Sequence, residues 1–146
     1  MRLNLQTDYA LRLLMHLAVN DGALVTITEV AERYGISKNH LMKVAHLLSK
    51  EGIIHTVRGR SGGLRLGLPS GDINLGKVVR LMEADLALVE CFQEGEDRCA
   101  IAPACRLKNV FNQVLDAFLA VLDQYTLEHL VSRNKALRSL LLEGAA

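Results

Sequence analysis

The chain has 146 residues, half of them hydrophobic, which suffices for one ordinary domain or for a small head with an extension. It has no apolar run as long as a membrane span and nothing like a signal peptide, so we expect a soluble cytoplasmic protein. The net charge of +1 hides an asymmetry: residues 1–70 carry nine Lys or Arg against five Asp or Glu, and residues 71–146 carry eight against eleven. The basic first half is therefore the predicted nucleic-acid surface.

A first helix is predicted near the start of the chain. Thr7 is able to cap a helix, and apolar residues recur after it at helical spacing, namely Leu11, Leu14, Met15 and Ala18. The pattern predicts a helix over about residues 7–20. Asp8 lies in its first turn, where a carboxylate favours the helix dipole and can pair with Arg12 four residues later.

The next two predicted helices form a helix-turn-helix pattern. The segment Thr26-Ile27-Thr28-Glu29 has the form of a capping box, and Gly35 ends the helix over about 27–34. Ser37 can cap a third helix, which Gly52 ends and whose apolar face consists of Leu41, Val44 and Leu48. The opposite face of this third helix carries Lys38, Asn39, His40 and Lys43.

A basic hairpin follows the third helix. Residues 53–57 are β-prone, residues 58–63 form a basic glycine-rich turn, and residues 64–66 alternate as a second strand. The hairpin resembles the wing of a winged helix; a phosphate cradle is disfavoured because the turn lacks the Gly-Lys-Ser/Thr signature. The other alternative is a small packing unit without special function. The helix-turn-helix spacing, the basic wing and the positive charge of the first half together favour DNA binding. The predicted DNA-contacting residues are Thr28, Ser37, Lys38, Asn39, His40, Lys43, Arg58, Arg60 and Ser61.

Residues 71–146 have the pattern of a linking helix, a cysteine loop and a long helix. Asn74 can cap a helix with an apolar face, and Pro103 suits the first turn of a helix over about 103–125. The apolar stripe of this long helix must pack on other elements or on a second copy of the chain. Thr126 and Ser132 can start two shorter helices. We therefore predict a mainly α fold with a small β-hairpin, divided into a winged helix-turn-helix head (1–70) and a sensor and dimerisation part (71–146).

Three cysteines, Cys91, Cys99 and Cys105, lie within fifteen residues, and the chain has no other. In a reducing cytoplasm such thiols indicate metal ligation or redox chemistry, since structural disulfides are rare there. A tetrahedral zinc or iron–sulfur site needs about four donors, so one ligand is missing from this set. A thiol redox switch and inert buried thiols remain alternatives. An enzyme is disfavoured because the chain offers no evident substrate domain or acid/base set.

Four stretches of the chain carry motifs whose combination is specific to one protein family. They are residues 7–12, residues 34–41, the wing residues 57–67, and residues 103–108, where the cysteine loop runs into the long helix. Together they resemble the IscR/NsrR family of dimeric winged-helix regulators, over nearly the whole chain. Within this family the chain looks most like the nitric-oxide-sensitive repressors.

The resemblance implies a repressor that binds double-stranded DNA at a pseudo-palindromic operator as a homodimer. It further implies a nitric-oxide-sensitive iron–sulfur cluster, 4Fe-4S in preference to 2Fe-2S, whose ligands would be Cys91, Cys99, Cys105 and Asp8 of the partner subunit. From the residues alone, Asp8 is equally a helix-capping charge. The cysteine spacing also fits an iron-responsive relative, so iron or redox state stays an alternative signal, and zinc an alternative metal.

Overall fold

The computed structural model describes residues 2–92 and 99–142. Within these ranges the helices and strands are, in chain order, α1 (Leu5–Val19), α2 (Ile27–Tyr34), α3 (Lys38–Lys50), β1 (Ile54–Val57), β2 (Gly63–Leu66), α4 (Leu75–Met82), α5 (Arg106–Asp123), α6 (Leu127–Val131) and α7 (Lys135–Leu142). The predicted fold class, mainly helical with one small hairpin, is confirmed. No helix of the described ranges is long and apolar enough to cross a membrane.

The start of α2 is determined by its local sequence. The Thr26 hydroxyl accepts a hydrogen bond from the Glu29 backbone N–H at 3.2 Å, and the Glu29 carboxylate accepts one from the Thr26 backbone N–H at 2.6 Å. These bonds satisfy two N–H groups that a helix start leaves free. Gly35 ends the helix in the left-handed region at φ 63°. Ser37 occupies the N-cap position of α3 without a side-chain capping bond.

The hairpin pairs β1 and β2 in antiparallel register, from Ile54 opposite Leu66 to Val57 opposite Gly63. The turn between them requires glycine twice. Gly59 has a φ of 109°, and a Cβ on Gly62 would collide with the Val57 carbonyl oxygen. The glycine-rich turn is therefore a steric requirement of the wing.

The start of α1 differs from the prediction, because Asn4 and not Thr7 caps the helix. The Asn4 side chain accepts the Thr7 backbone N–H at 2.8 Å. Thr7 is fully buried, and its hydroxyl donates to Glu83 Oε1 at 2.5 Å. The same carboxylate accepts the Asn4 backbone N–H at 2.9 Å and the Asn4 side-chain N–H at 3.1 Å. Glu83, the residue after α4, thus ties α4 to the first turn of α1.

Two helix starts in the second part also differ from the prediction. Pro103 lies in a separate 3-10 turn over Ala102–Ala104, and α5 begins only after Cys105, which takes the N-cap position. Asn134 rather than Ser132 precedes α7, and its side chain accepts the Leu137 N–H at 3.0 Å. Thr126 caps α6 as expected.

The core is organised around α1, which packs against α3, α4, α6, α7 and β2. Leu13, Leu14 and Leu17 of this helix are almost completely buried. The same cluster contains residues from both sides of position 70, among them Leu41, Leu48, Val78, Leu127, Val131 and Leu141. The predicted boundary at residue 70 stays a prediction, and the buried cluster is continuous across it.

Candidate nucleic-acid interface and cysteine segment

The outer face of α3 is basic and polar. Four predicted DNA-contacting residues are exposed on this helix, and the helix buries the opposite face through Leu41, Val44, Ala45 and Leu48. The exposed residues are Lys38, Asn39, His40 and Lys43. Spacings of three and four residues place Asn39 and Lys43 on one side of the helix, away from the core.

The wing residues are also accessible. Arg58 and Arg60 flank Gly59 at the tip of the hairpin, and both are exposed, as is Ser61. Ser37 is exposed ahead of α3, whereas Thr28 is half-buried in the first turn of α2. Exposure makes these side chains available to DNA, and their contacts with it stay predictions.

Sequence reasoning missed two exposed residues of α3, Met42 and His46. They follow Asn39 by three and seven residues, so helical periodicity was sufficient to place them on its face.

His40, although exposed, stacks on Tyr9 of α1. The ring centroids are 6.2 Å apart with an interplanar angle of 30°. Tyr9 directly follows Asp8 in the chain. A contact between distant segments like this one leaves no local sequence signal, and it joins α1 to the predicted base-reading helix.

Asp8 pairs with Arg12 in the way that their spacing allows. Arg12 Nη2 lies 2.7 Å from Asp8 Oδ2, and Arg12 Nε donates to Asp8 Oδ1 at 3.1 Å. Both side chains are about two-fifths exposed. A pair in such contact with water contributes little to stability, so the carboxylate can exchange this partner for another at small cost.

The cysteine segment, residues 91–105, carries three free thiols. Cys91 and Cys105 are half-buried and Cys99 is exposed, while residues 93–98 lie outside the described ranges. Among described residues, no three His, Cys, Asp or Glu side chains converge as a metal site. The donor chemistry of the segment, three accessible thiols, nevertheless fits soft ligation of iron or zinc.

A cavity of about 570 Å³ lies between the stretch after α4 and the apolar side of α5. Its walls include Leu86, Leu88, Phe111, Val114 and Phe118. All 18 residues of α5 are described, and none of them is buried. Several of its large apolar side chains are about half exposed, namely Leu107, Val110, Val114 and Val121.

His16 is a buried titratable group in the head. It is 5% exposed, its Nδ1 lacks a hydrogen-bond partner among the described residues, and its ring meets Tyr34 edge to face at 5.9 Å. Burial lowers the pKa of His16, the Arg33 charge lowers it further, and Glu29 opposes the change. Burial likewise raises the pKa of Tyr34 against the effect of Arg12 and Arg33. Both groups are therefore held in their neutral forms at neutral pH.

A three-helix head with an exposed basic helix and a basic wing defines a winged-helix DNA-binding protein. Comparison with known proteins identifies the family. The model of the Rrf2 family, described as an iron-dependent transcriptional regulator, matches residues 3–133, and the chain belongs to this family.

Similar proteins carry the names of transcriptional regulators. The chain is 50% identical to the HTH-type transcriptional regulator NsrR of Bacillus subtilis strain 168 and 45% identical to that of Oceanobacillus iheyensis, each over 97% of both chains. Among solved structures, CymR (YrzC), the global cysteine regulator of B. subtilis, superposes with a TM-score of 0.73 at 27% identity, over 90% of this chain and 97% of its own. IscR of T. potens gives 0.74 at 25% identity, over 93% and 90%. The protein is a DNA-binding transcription regulator and not an enzyme.

Proposed function

We propose that this regulator is a homodimeric repressor whose operator affinity is controlled by a nitric-oxide-sensitive iron–sulfur cluster, 4Fe-4S in preference to 2Fe-2S. The observation that carries the proposal is the set of three accessible free thiols between α4 and α5. The resemblance to nitric-oxide-sensitive repressors and the high identity to NsrR proteins support the same assignment.

The dimer is proposed from the exposed apolar side of α5. Side chains such as Val114 and Val121 are about half exposed along a helix of 18 residues. Contiguous apolar surface of this kind marks an interaction site, and a second copy of the same helix is the simplest self-complementary partner. The partner helix would also cover the cavity beside Phe111 and Phe118.

The proposed cluster ligands are Cys91, Cys99 and Cys105 of one subunit and Asp8 of the other. Cys105 takes the N-cap position of α5, so its thiol lies at the point where the cysteine segment joins the proposed dimer helix. When bound, the cluster supplies iron that nitric oxide can attack. A carboxylate is a harder and weaker ligand than a thiolate, so Asp8 is the contact that we expect to open first.

The route from Asp8 to DNA is short. Asp8 and Tyr9 are adjacent on α1, and Tyr9 stacks on His40 at the start of α3. While Asp8 is held by the other subunit, the two heads would keep a fixed spacing; once released, Asp8 would pair with Arg12 of its own helix. A hundredfold change in operator affinity requires a coupling free energy of about 2.7 kcal/mol, which loss of one ligand contact can supply.

The test begins with the colour of the protein purified without oxygen. We expect a brown dimer containing iron and sulfide, and we expect Cys91→Ala, Cys99→Ala and Cys105→Ala each to bleach it. Asp116→Ala, which removes an exposed carboxylate of α5, serves as the control and should stay brown. Colourless wild-type protein with bound zinc, or with no metal, would contradict the cluster.

The signal is tested separately on the brown protein. We expect nitric oxide to lower its affinity for operator DNA. An iron-responsive or redox-responsive regulator, which the cysteine spacing also fits, would instead lose affinity on iron chelation or on oxidation and stay bound in nitric oxide.

A further inference from the structure

Met42 is an unusual residue for the outer face of α3. Its side chain is 57% exposed, although this helix buries Leu41, Val44 and Leu48 and partly buries Leu47. Its neighbours on the exposed surface, Asn39, Lys43 and His46, are all polar or charged. The side chain thus contributes nothing visible to the core, and it lies within a surface that is otherwise suited to DNA.

The chemistry of the major groove offers a partner for such a side chain. Phosphates and base edges are polar, and the C5-methyl group of thymine is the apolar group that the groove presents. Methionine is unbranched and polarisable, so it adapts readily to a small apolar target. Asn39, one helical turn earlier, has the side chain that pairs bidentately with adenine N6 and N7.

We propose that Met42 packs on a thymine methyl group and, together with Asn39, selects A·T base pairs in each half of the operator. The inference rests on the proposed reading of DNA by α3 and does not depend on which signal the cysteine segment senses. Because Met42 is exposed and alanine is the stronger helix former, Met42→Ala should leave the fold and the melting temperature unchanged.

The experiment compares thymine with deoxyuridine, which lacks only the methyl group. The anaerobically purified wild-type protein first selects duplexes from a random-sequence pool. The best duplex is then synthesised with thymine or with deoxyuridine throughout. Loss of one buried methyl contact weakens binding roughly fourfold, so with two half-sites we expect wild type to bind the deoxyuridine duplex on the order of tenfold more weakly. Met42→Ala should bind the thymine duplex about as weakly and should not distinguish the two.

Two further variants distinguish loss of the Met42–thymine contact from a general weakening of DNA binding. Arg60→Ala should bind both duplexes less tightly with a shallower salt dependence, because a phosphate contact is lost, and should keep the tenfold ratio. Met42→Leu, which stays apolar, should retain part of that ratio.

Three outcomes would overturn the inference: equal affinity of wild type for both duplexes, an unchanged ratio in Met42→Ala, or selected half-sites without thymine. If wild type selects no sequence at all, the reading of DNA by α3 is wrong and Met42 loses its role with it. Failure of the cluster proposal shows itself differently, as a colourless preparation whose thymine preference is still measurable.

Discussion

Asp8 is the residue on which the proposed mechanism depends, and its surroundings allow two roles to be separated. It pairs with Arg12 within its own helix, yet both side chains are about two-fifths exposed. If Asp8 only stabilises the helix, removing either partner of the pair should have the same effect. If it also binds the cluster of the other subunit, only the loss of the carboxylate should alter the cluster.

We therefore predict different results for Asp8→Ala and Arg12→Ala. Each should lower the free energy of unfolding by no more than about 1 kcal/mol, because the pair is exposed. Asp8→Ala should in addition make the cluster more labile or change its absorbance spectrum, and should weaken operator binding before nitric oxide is added. Spectra, melting temperatures and operator titrations of both variants decide the question; identical behaviour would leave Asp8 as a helix-capping charge.

The burial of His16 predicts that the free energy of unfolding depends on pH. Its pKa is lowered from 6.5 by burial first and by Arg33 second, with Glu29 opposing and the Tyr34 ring against it. Below about pH 6.5 the unfolded chain binds a proton that the folded chain does not, so acid favours unfolding. Above this pH, neutral His16 does not reduce the free energy of unfolding. As the pH falls from 6.5 towards the pKa of His16 in the folded state, the free energy of unfolding decreases.

We expect the free energy of unfolding to decline on acidification with a slope of at most about 1.4 kcal/mol per pH unit from this one group. Urea titrations across this range measure it. His16→Leu should remove the slope, whereas His55→Gln, at an exposed position of β1, should leave it in place. A slope that survives in His16→Leu would assign the effect to other groups.

At the scale of elements, Glu83 is the junction between α4 and α1. Its Oε1 accepts hydrogen bonds from the Asn4 backbone and from the buried Thr7 hydroxyl, and its Oε2 accepts one from the Asn4 side chain. The stretch that leads to Cys91 starts directly after this junction. The carboxylate therefore fixes the first turn of α1, which includes Asp8, against the C-terminal end of α4.

Glu83→Ala should lower the free energy of unfolding by about 1–3 kcal/mol, because the buried Thr7 hydroxyl loses its acceptor. Glu83→Gln should cost less, since its Oε1 can still accept two of the three bonds. Urea unfolding measures both effects, with Glu32→Ala at an exposed position of α2 as the control. If Glu83→Ala is as stable as the wild type, the junction contributes no net stability.

Local signals in the sequence predicted the elements whose causes are local. The capping box of α2 and the glycines of the wing act over a few residues, and both elements form where they were predicted. The predicted start of α1 was wrong because Thr7 is buried against Glu83, 76 residues away, and this contact overrides the capping preference of Thr7. The Tyr9–His40 stack was missed for the same reason, because it joins residues that are distant in the chain. The exposed position of Met42, in contrast, follows from helical periodicity and could have been predicted.

At the scale of the whole molecule, α5 carries the surface through which we propose that the protein forms a dimer. Val114 is 46% exposed on the apolar side of α5 and lines the cavity beside it. A charge placed there would be buried without a partner on association. We predict that Val114→Glu weakens self-association roughly a hundredfold, equivalent to about 2.8 kcal/mol, and that operator affinity falls with it.

Light scattering over a range of protein concentrations measures this change. Leu140→Glu on α7 is the matched control, because Leu140 is even more exposed, at 71%, but lies on another helix. It should leave the dimer intact. The reverse result, with a stable Val114→Glu dimer and a dissociated Leu140→Glu protein, would move the interface to α7.

Because α1 contacts α3 as well as α4, α6 and α7, we expect the DNA-reading part and the rest of the subunit to unfold together. Amide hydrogens around Leu13, Leu14 and Leu17 should exchange with deuterium only when the whole subunit opens. A fragment ending at residue 70 would expose the side chains that Val78, Leu127 and Leu141 normally cover. We therefore expect the proposed sensor part and the DNA-binding head to unfold as one cooperative unit, so that a signal would reach α3 by displacing a rigid body rather than by melting a hinge.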